Sequence, residues 1–287
     1  MKSRSLAVRR MKERAYVIGF LVGIGIALFA LVALLASIFA TAWPWLTPAI
    51  LFNYSNVTDP ATAGYAAAIV GTLWVVGLTL LFSLPLGIAA GIYLEMYAGK
   101  GRLTRILQAA VTNLAGVPSV VFGLLGLAAF VRFLGLGPVV LAGALTLTML
   151  VFPYVVITTQ ESIRAVPSTI RDAALALGAT KWQSIRRQIL PAAAPGLLTG
   201  AILAAARAMG ETAPLLVIGA LFLQTFLPYG PESPFVALPV QIYAYTILPT
   251  DQWGGVAAAG MVVLLGLLFS FNAIAILARN RLQRQRW

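Results

Sequence analysis

Residues 17–40 read VIGFLVGIGIALFALVALLASIFA, a run of 24 residues without one charged side chain. A helix needs about 20 apolar residues to cross the ~30 Å hydrocarbon core of a bilayer, so this run is long enough for one span. Five further runs have a comparable length, at residues 66–94, 107–131, 137–159, 195–223 and 255–278. The sequence therefore predicts an all-α, polytopic membrane protein with six transmembrane helices.

The composition of the chain supports a membrane protein and argues against an enzyme. Of the 287 residues, 60% are hydrophobic and 10% are charged, and the mean hydropathy is +0.92, which excludes an ordinary soluble domain. The chain has no histidine and no cysteine, so imidazole bases, thiolate nucleophiles and the commonest zinc ligands are missing. No lysine lies in a glycine-rich nucleotide-binding loop. We expect no cofactor and no metal, and we expect any ATP hydrolysis to be carried out by another subunit.

Basic residues are concentrated in alternate connections between the spans. Both ends of the chain and the second and fourth connections hold 18 of the 20 lysines and arginines, while the first and fifth connections hold none. The positive-inside rule therefore predicts that both termini are cytoplasmic, and contact with lipid headgroups accounts for the basic excess better than nucleic acid does. The expected cytoplasmic segments are 1–16, 160–190 and 279–287, and the expected periplasmic connections are 41–64 and 224–254.

The first span has two interpretations. Its basic start and the Ala40-Thr41-Ala42 sequence at its end are typical of a signal peptide, but its apolar run is longer than the ~7 to 15 residues of a signal peptide. We expect a retained anchor over residues 17–40, followed by a five-helix core over residues 65–278.

Residues 166–182 read VPSTIRDAALALGATKW and lie before the predicted fifth span. Pro167 suits a first helical turn, and Gly178 suits the left-handed position after the last one. Apolar and small residues recur at helical spacing between them: Ile170, Ala173, Ala174 and Leu177. The pattern predicts a short amphipathic helix, then a second helix capped by Thr180, with Pro191 and Pro195 at the entry to the span. Such a helix lies on the bilayer surface or docks a partner, and these residues alone do not distinguish the two.

Two charges fall about a dozen residues inside the predicted fifth span. Arg207 and Glu211 are four residues apart, so they can neutralise each other on one helical face. An unpaired charge at this depth costs about 2.5 to 3.5 kcal/mol, which makes a purely structural salt bridge one interpretation. A transport role is the other, because arginine offers an oxyanion a planar fork of donors and the neighbours Ala204–Ala206 are small.

The sequence Gly116-Val117-Pro118-Ser119 lies about eleven residues into the predicted third span. Proline removes one backbone hydrogen bond from a helix, and Ser119 could offer a hydroxyl or a half-helix N-terminus to an anion. A simple proline kink is the commoner explanation and is the expectation here.

Asp172-Ala173-Ala174, Gly178 and Leu190-Pro191 together resemble the EAA motif of importer-type ABC permeases. Asp172 departs from the usual glutamate of that motif, and Gln188 occupies a position that is usually apolar. In that family the helix fits a groove on the ATPase subunit. The resemblance implies docking residues at Asp172, Ala173, Ala174, Leu177 and Gly178.

Two further stretches, NLAGVPSVVFG at 113–123 and RAMGETAPLL at 207–216, are similar to the permeases of the bacterial phosphate importer, the Pst system, and the second is most like its A subunit. The resemblance covers roughly residues 66–278. It implies a type I ABC importer permease fold that translocates inorganic phosphate by alternating access across the cytoplasmic membrane. It also implies a second permease subunit, expected to be a non-identical homologue, together with two ATPase subunits and an extracytoplasmic phosphate-binding protein. From the residue chemistry above, the predicted substrate pathway contains Ser119, Arg207, Glu211 and Thr212.

Other functions stay open at this point. Sulfate and molybdate are also tetrahedral oxyanions, so only the family resemblance favours phosphate. An ion-coupled secondary transporter would need deep carboxylates, whereas Glu211 is the only acid deep in a predicted span and Arg207 neutralises it. A membrane-embedded enzyme would need paired acids, histidines or cysteines, and the remaining acids fall near or beyond the span ends without motif spacing.

Overall fold

The computed structural model describes residues 2–99 and 101–284, so that Met1, Lys100 and part of the predicted basic tail, residues 285–287, lie outside the description. Within the described residues there is no β-strand, only an isolated bridge between Val139 and Pro234, and the all-α prediction is confirmed. The α-helices of the described residues are α1 (Lys2–Ala42), α2 (Ala49–Phe52), α3 (Ala66–Ile92), α4 (Arg102–Ala115), α5 (Ser119–Gly126), α6 (Val140–Arg164), α7 (Ser168–Ala176), α8 (Lys181–Ser184), α9 (Leu190–Gly210), α10 (Ala213–Val217), α11 (Leu238–Thr246) and α12 (Asp251–Arg284).

Three of these helices run into π-helical turns, which hold more residues per turn than an α-helix. The π-helical stretches are Tyr93–Tyr97 after α3, Leu127–Phe133 after α5 and Ile185–Ile189 between α8 and α9.

Five helical stretches of the described residues are long and apolar enough to cross a membrane, and a bent pair of helices makes a sixth if it counts as one span. The predicted spans 17–40, 66–94, 137–159 and 255–278 correspond to four of the five, with shifts of a few residues at some ends. The structure corrects the third and fifth predicted spans.

The third span is not the single helix over 107–131 that its apolar run predicts. Helix α4 ends at Ala115, α5 begins at Ser119, and the two axes meet at 104°. The amides of Gly116 and Val117 bond back to the carbonyls of Asn113 and Leu114, which closes α4 before Pro118. Pro118 has no amide hydrogen with which to continue the helix. The expected proline kink is therefore a complete break.

The fifth span differs from the predicted 195–223 at both ends. Thr180 and Gln183 form a capping box that starts a continuous helical stretch at Lys181, which confirms the second helix predicted after Thr180. Pro191 does not mark an entry, because it lies in the first turn of α9 directly after a π-helical turn, where its missing amide removes no regular bond. The helix ends at Gly210, and Pro214, whose ring would clash with the carbonyl of Gly210, lies in the separate helix α10.

The centre of the bundle is the contact between α3 and α6. Gly87 and Gly91 of α3 face Val155 and Thr159 of α6 so closely that a Cβ atom on Gly91 would lie 2.6 Å from the Cβ of Thr159. Such close approach is what small residues in membrane helices permit. Gly196 and Gly200 of α9 meet α6 in the same way, at Ser162 and Thr158. Helices α3, α6 and α9 therefore form a tightly packed scaffold.

The scaffold has two distinct ends. At one end, which we call the α7 end, the end of α3 contacts the end of α6 through Glu95 and Arg164, and Arg279 near the end of α12 contacts Thr199 in the middle of α9. At the other end, Tyr65, Tyr245 and Trp253 pack in a buried aromatic cluster with ring centroids 5.5 and 5.2 Å apart. Helix α7 therefore projects from the end where the basic side chains Arg164, Lys181 and Arg279 gather.

Candidate functional site

The two broken spans meet each other. Helix α5 packs on α10, and a Cβ atom on Gly123 would lie 2.8 Å from the Cα of Pro214. Ser119 is four residues before Gly123, and Thr212 is two residues before Pro214. Both chain breaks therefore lie within about one helical turn of the same contact, and the structure brings the regions of Ser119, Thr212 and Glu211 together.

Arg207 and Glu211 form the ion pair that their spacing predicts, with 3.5 Å between Nε and Oε1. Their setting differs from the prediction, because Glu211 is the first residue after α9 and has left the helical conformation, with φ −75° and ψ 119°. The pair is thus at the end of a span-length helix and not a dozen residues inside its entry. In the last turn of α9, Arg207 lies beside carbonyls that have no helical partner, and the helix dipole favours a cation there.

The guanidinium of Arg207 is accessible. Its side chain is 44% exposed, whereas that of Glu211 is 18% exposed, and among the described residues no second carboxylate pairs with Arg207. One edge of the guanidinium therefore faces Glu211 while donors remain for an oxyanion. The Thr212 hydroxyl lies 3.5 Å from the carbonyl oxygen of Gly210, a weak contact that leaves it available to another partner.

The short helix predicted before the fifth span is present as α7, Ser168–Ala176. Gly178 has φ +82°, which confirms the left-handed position that its place in the sequence indicates. Its amide bonds to the carbonyl of Leu175, and the amide of Ala179 bonds to that of Ala174, so the helix end is closed by backbone bonds. Asp172 is exposed and contacts Arg171 at 3.2 Å.

Apolar side chains in the second half of α7 and directly after it are exposed in this chain. Leu177 is 90% exposed, and Leu175 and Ala173 are also exposed. Full burial of such a leucine is worth about 1.5–3 kcal/mol relative to exposure, so this surface suits a partner that covers it.

Sequence reasoning missed several contacts between helices at the α7 end and between α4 and α6. Arg164 at the end of α6 binds Glu95 at 2.7 Å, and Lys181 at the start of α8 lies 4.9 Å from the ring of Tyr97. Gln108 of α4 and Gln160 of α6 exchange two amide hydrogen bonds, of 3.1 and 2.9 Å. No sequence pattern indicated these pairs, because their members lie far apart along the chain.

Comparison with known proteins identifies the family. The family described as "Binding-protein-dependent transport system inner membrane component" matches residues 83–283, well over half of the chain. The chain belongs to this family. The broken spans and the projecting α7 are thus features of a member of this family.

Relatives of this permease extend over most of its length. The phosphate transport system permease protein PstA of Haemophilus influenzae is 35% identical over 226 residues, which are 77% of this chain and 78% of that protein. PstA of Yersinia pestis is 33% identical over 289 residues, covering 98% of this chain and 95% of that protein. The resemblance inferred from the sequence is confirmed.

A solved structure gives the fold of this permease independently. The MetNI methionine ABC transporter, in inward-facing conformations, contains a chain that superposes with a TM-score of 0.62 at 19% identity, covering 75% of this permease and 96% of that chain. At this identity the likeness concerns the fold alone. The permease therefore has the predicted fold of type I ABC importers.

Proposed function

We propose that this chain is the membrane permease subunit of an ATP-driven importer that carries inorganic phosphate across the cytoplasmic membrane by alternating access. The observation that carries the proposal is its 33–35% identity, over most of its length, to proteins named as phosphate transport system permeases. The chain has no nucleotide-binding loop, so ATP hydrolysis belongs to a separate subunit. An ion-coupled secondary transporter is not favoured by these relatives.

The proposed assembly places two ATPase subunits at the α7 end, with one of them covering Asp172, Ala173, Ala174, Leu177 and Gly178. A second permease subunit, homologous but non-identical, completes the translocation path, and an extracytoplasmic binding protein delivers phosphate at the aromatic end. The basic side chains at the α7 end support a cytoplasmic location for that end and for both termini, by the positive-inside rule.

The proposed path runs along the two chain breaks. Arg207 binds the passing oxyanion with the donors that Glu211 leaves free, while the hydroxyls of Thr212 and Ser119 offer further hydrogen bonds nearby. Glu211 keeps the guanidinium from holding the anion permanently, because carboxylate and phosphate compete for the same donors. The half exposure of Arg207 supports this role over that of a buried structural bridge.

Uptake in competition tests the substrate. Membrane vesicles that contain the assembled complex receive radiolabelled phosphate with unlabelled phosphate, sulfate or molybdate in tenfold excess. We expect only phosphate to suppress the signal. No measurable phosphate uptake, together with uptake of radiolabelled sulfate or molybdate by the same vesicles, would reassign the importer to another oxyanion.

Single and double substitutions test Arg207. Because its side chain is half exposed, Arg207→Met should change the free energy of unfolding by only about 1 kcal/mol, as for exposed ion pairs, while phosphate uptake falls at least tenfold. The double variant Arg207→Met/Glu211→Leu should stay equally inactive at wild-type abundance. Arg132→Met, at another exposed arginine, is the control and should transport normally. Normal uptake by the double variant would remove the pair from the path.

The docking role is tested at Gly178. A leucine there must adopt φ +82°, which side chains disfavour, although no atom lies within 4 Å of its Cβ position. We expect Gly178→Leu to insert normally but to lose copurification of the ATPase and stimulated ATP hydrolysis. Gly99→Leu, also in open space at the α7 end but without a positive φ, should retain both. Full stimulated hydrolysis in a Gly178→Leu complex is the result that contradicts the assignment.

A further inference from the structure

A groove on the side of the bundle lies outside the features used so far. It opens between α6, α9 and α12 at the α7 end and encloses about 620 Å³. We call it the α12 groove and define it by Glu161 and Tyr154 of α6, Thr199 and Leu203 of α9, and Arg279 of α12. None of these lining residues belongs to the Arg207–Glu211 pair or to the exposed surface of α7.

One wall of the α12 groove carries Arg279, whose guanidinium has no carboxylate partner among the described residues. Arg279 donates from Nη1 to the hydroxyl of Thr199 at 2.9 Å, and its Nε and Nη2 lie 3.4 Å from the side-chain oxygen of Asn280. Thr199 in turn donates to the carbonyl of Pro195 at 2.8 Å, which fixes the hydroxyl as an acceptor for the guanidinium. Among the described residues, no acid lies within ion-pair distance of Arg279.

The opposite wall carries Glu161, whose carboxylate forms no ion pair with the side chains that the structure describes. Arg164, one turn along α6, attracts Glu161 through space, but its guanidinium is bound to Glu95 at 2.7 Å. Glu161 and Arg279 line one groove yet do not pair with each other. The α12 groove therefore presents separate positive and negative groups to whatever occupies it.

The depth of the α12 groove in the bilayer follows from the direction of its helices. Glu161 lies in the last turn of α6, and Arg279 lies five residues before the end of α12, directly after its apolar stretch. We therefore place both residues near the level of the lipid headgroups. Leu203 lies one turn farther from that end than Thr199 and is 50% exposed, and Tyr154 lies about two turns deeper than Glu161. The groove is polar at headgroup level and apolar below it, as a phospholipid is.

We propose that the α12 groove binds a zwitterionic phospholipid with a primary ammonium group, of the phosphatidylethanolamine class. The lipid phosphate bonds to Arg279, the ammonium donates to Glu161, and an acyl chain lies over Leu203. Complementarity selects this headgroup: a net anionic lipid meets the repulsion of Glu161, and a choline headgroup has no N–H to donate. The proposal depends on the membrane location of the chain and is independent of the transported substrate.

Native mass spectrometry of the purified complex tests the site, after delipidation and addition of phosphatidylethanolamine, phosphatidylcholine or phosphatidylglycerol. We expect one tightly bound phosphatidylethanolamine per chain. Glu161→Gln should weaken it roughly tenfold, the effect of one charge-assisted hydrogen bond, and should not weaken phosphatidylglycerol binding. Arg279→Gln should weaken both lipids. The control is Arg281→Gln, at an exposed arginine two residues farther along α12, and it should leave binding unchanged.

Three results would overturn the proposal. The first is equal binding of the three lipids to the wild-type chain, and the second is phosphatidylethanolamine binding that Glu161→Gln leaves unaltered. The third comes from a photocrosslinker attached at Leu203→Cys, which is independent of the charge substitutions. Capture of phosphatidylethanolamine supports the site, whereas capture of a protein subunit alone shows that a partner helix fills the groove.

Discussion

The α3–α6 pair and the two chain breaks differ in what happens to the helix at a proline. Helices α3 and α6 continue through Pro85 and Pro153, although each proline removes a backbone bond. The third span stops before Pro118, and the fifth continues through Pro195 but stops before Pro214. Proline alone therefore does not decide whether a helix of this chain continues.

Pro153 and Pro118 differ in their surroundings, whereas Pro85 is exposed in an unbroken helix and Pro214 is buried beside a break. Around Pro153, α6 is buried against α3, and the close contacts at Gly87 and Gly91 hold both helices along their length. Pro118 follows the exposed Gly116, where no packed neighbour forces the chain to stay helical. The unbroken pair supplies a scaffold, and every proposed pathway residue lies at or beside a break. The following three experiments test the contrast between scaffold and breaks by measuring the stability of variants in each region.

The largest effect on stability is expected for a substitution between α3 and α6 in the scaffold. Gly91→Leu would drive a side chain into Thr159, and overpacking of this kind costs typically 1–3 kcal/mol and more where backbone must move. We expect little folded protein, measured as the monodisperse fraction after detergent extraction. The matched control is Gly77→Leu in the same helix, where no atom lies within 4 Å. Equal yields of both variants would show that the α3–α6 contact does not hold the scaffold.

A smaller loss of stability is expected where the hydrogen bonds between Gln108 and Gln160 join α4 to the scaffold. Gln108→Leu leaves the amide of Gln160, which is 2% exposed, without its partner, at a cost of about 1–3 kcal/mol. The double variant Gln108→Leu/Gln160→Leu should recover most of the thermal stability, because neither polar group is then stranded. A double variant less stable than the single one would show that the unpaired amide of Gln160 is not the cause of the loss.

The smallest change in stability is expected at the break itself. Gly116→Ala/Pro118→Ala restores an amide hydrogen and helix-forming residues, and an alanine at 116 meets only an ordinary contact at 3.5 Å. The melting temperature should stay within a few degrees, while uptake falls because a straighter third span displaces Ser119. Pro153→Ala, in the scaffold, should preserve uptake. Unchanged uptake in the double alanine variant would separate the break from transport.

Much of the fold follows from the sequence, because a bilayer requires apolar runs of a certain length. Helix α7 was predictable as well, since Pro167 and Gly178 specify its ends by backbone chemistry. The breaks were not, because the apolar run of the third span continues across 116–118, and the predicted fifth span 195–223 includes residues 211–214 although the helix ends at Gly210. Pairing of Arg207 with Glu211 was predictable from spacing, but Glu95 with Arg164 and Gln108 with Gln160 join residues 69 and 52 positions apart.

The π-helical stretch Ile185–Ile189 has a consequence for sequence length. It accommodates an extra residue between α8 and α9, so deletion of one residue there lets the segment close as an α-helix while both flanking helices keep their faces. The same deletion in α6 would turn every later side chain by about 100° and place the wrong faces against α3. Among homologous chains, one-residue gaps should therefore accumulate at Ile185–Ile189 and be absent from Val140–Arg164.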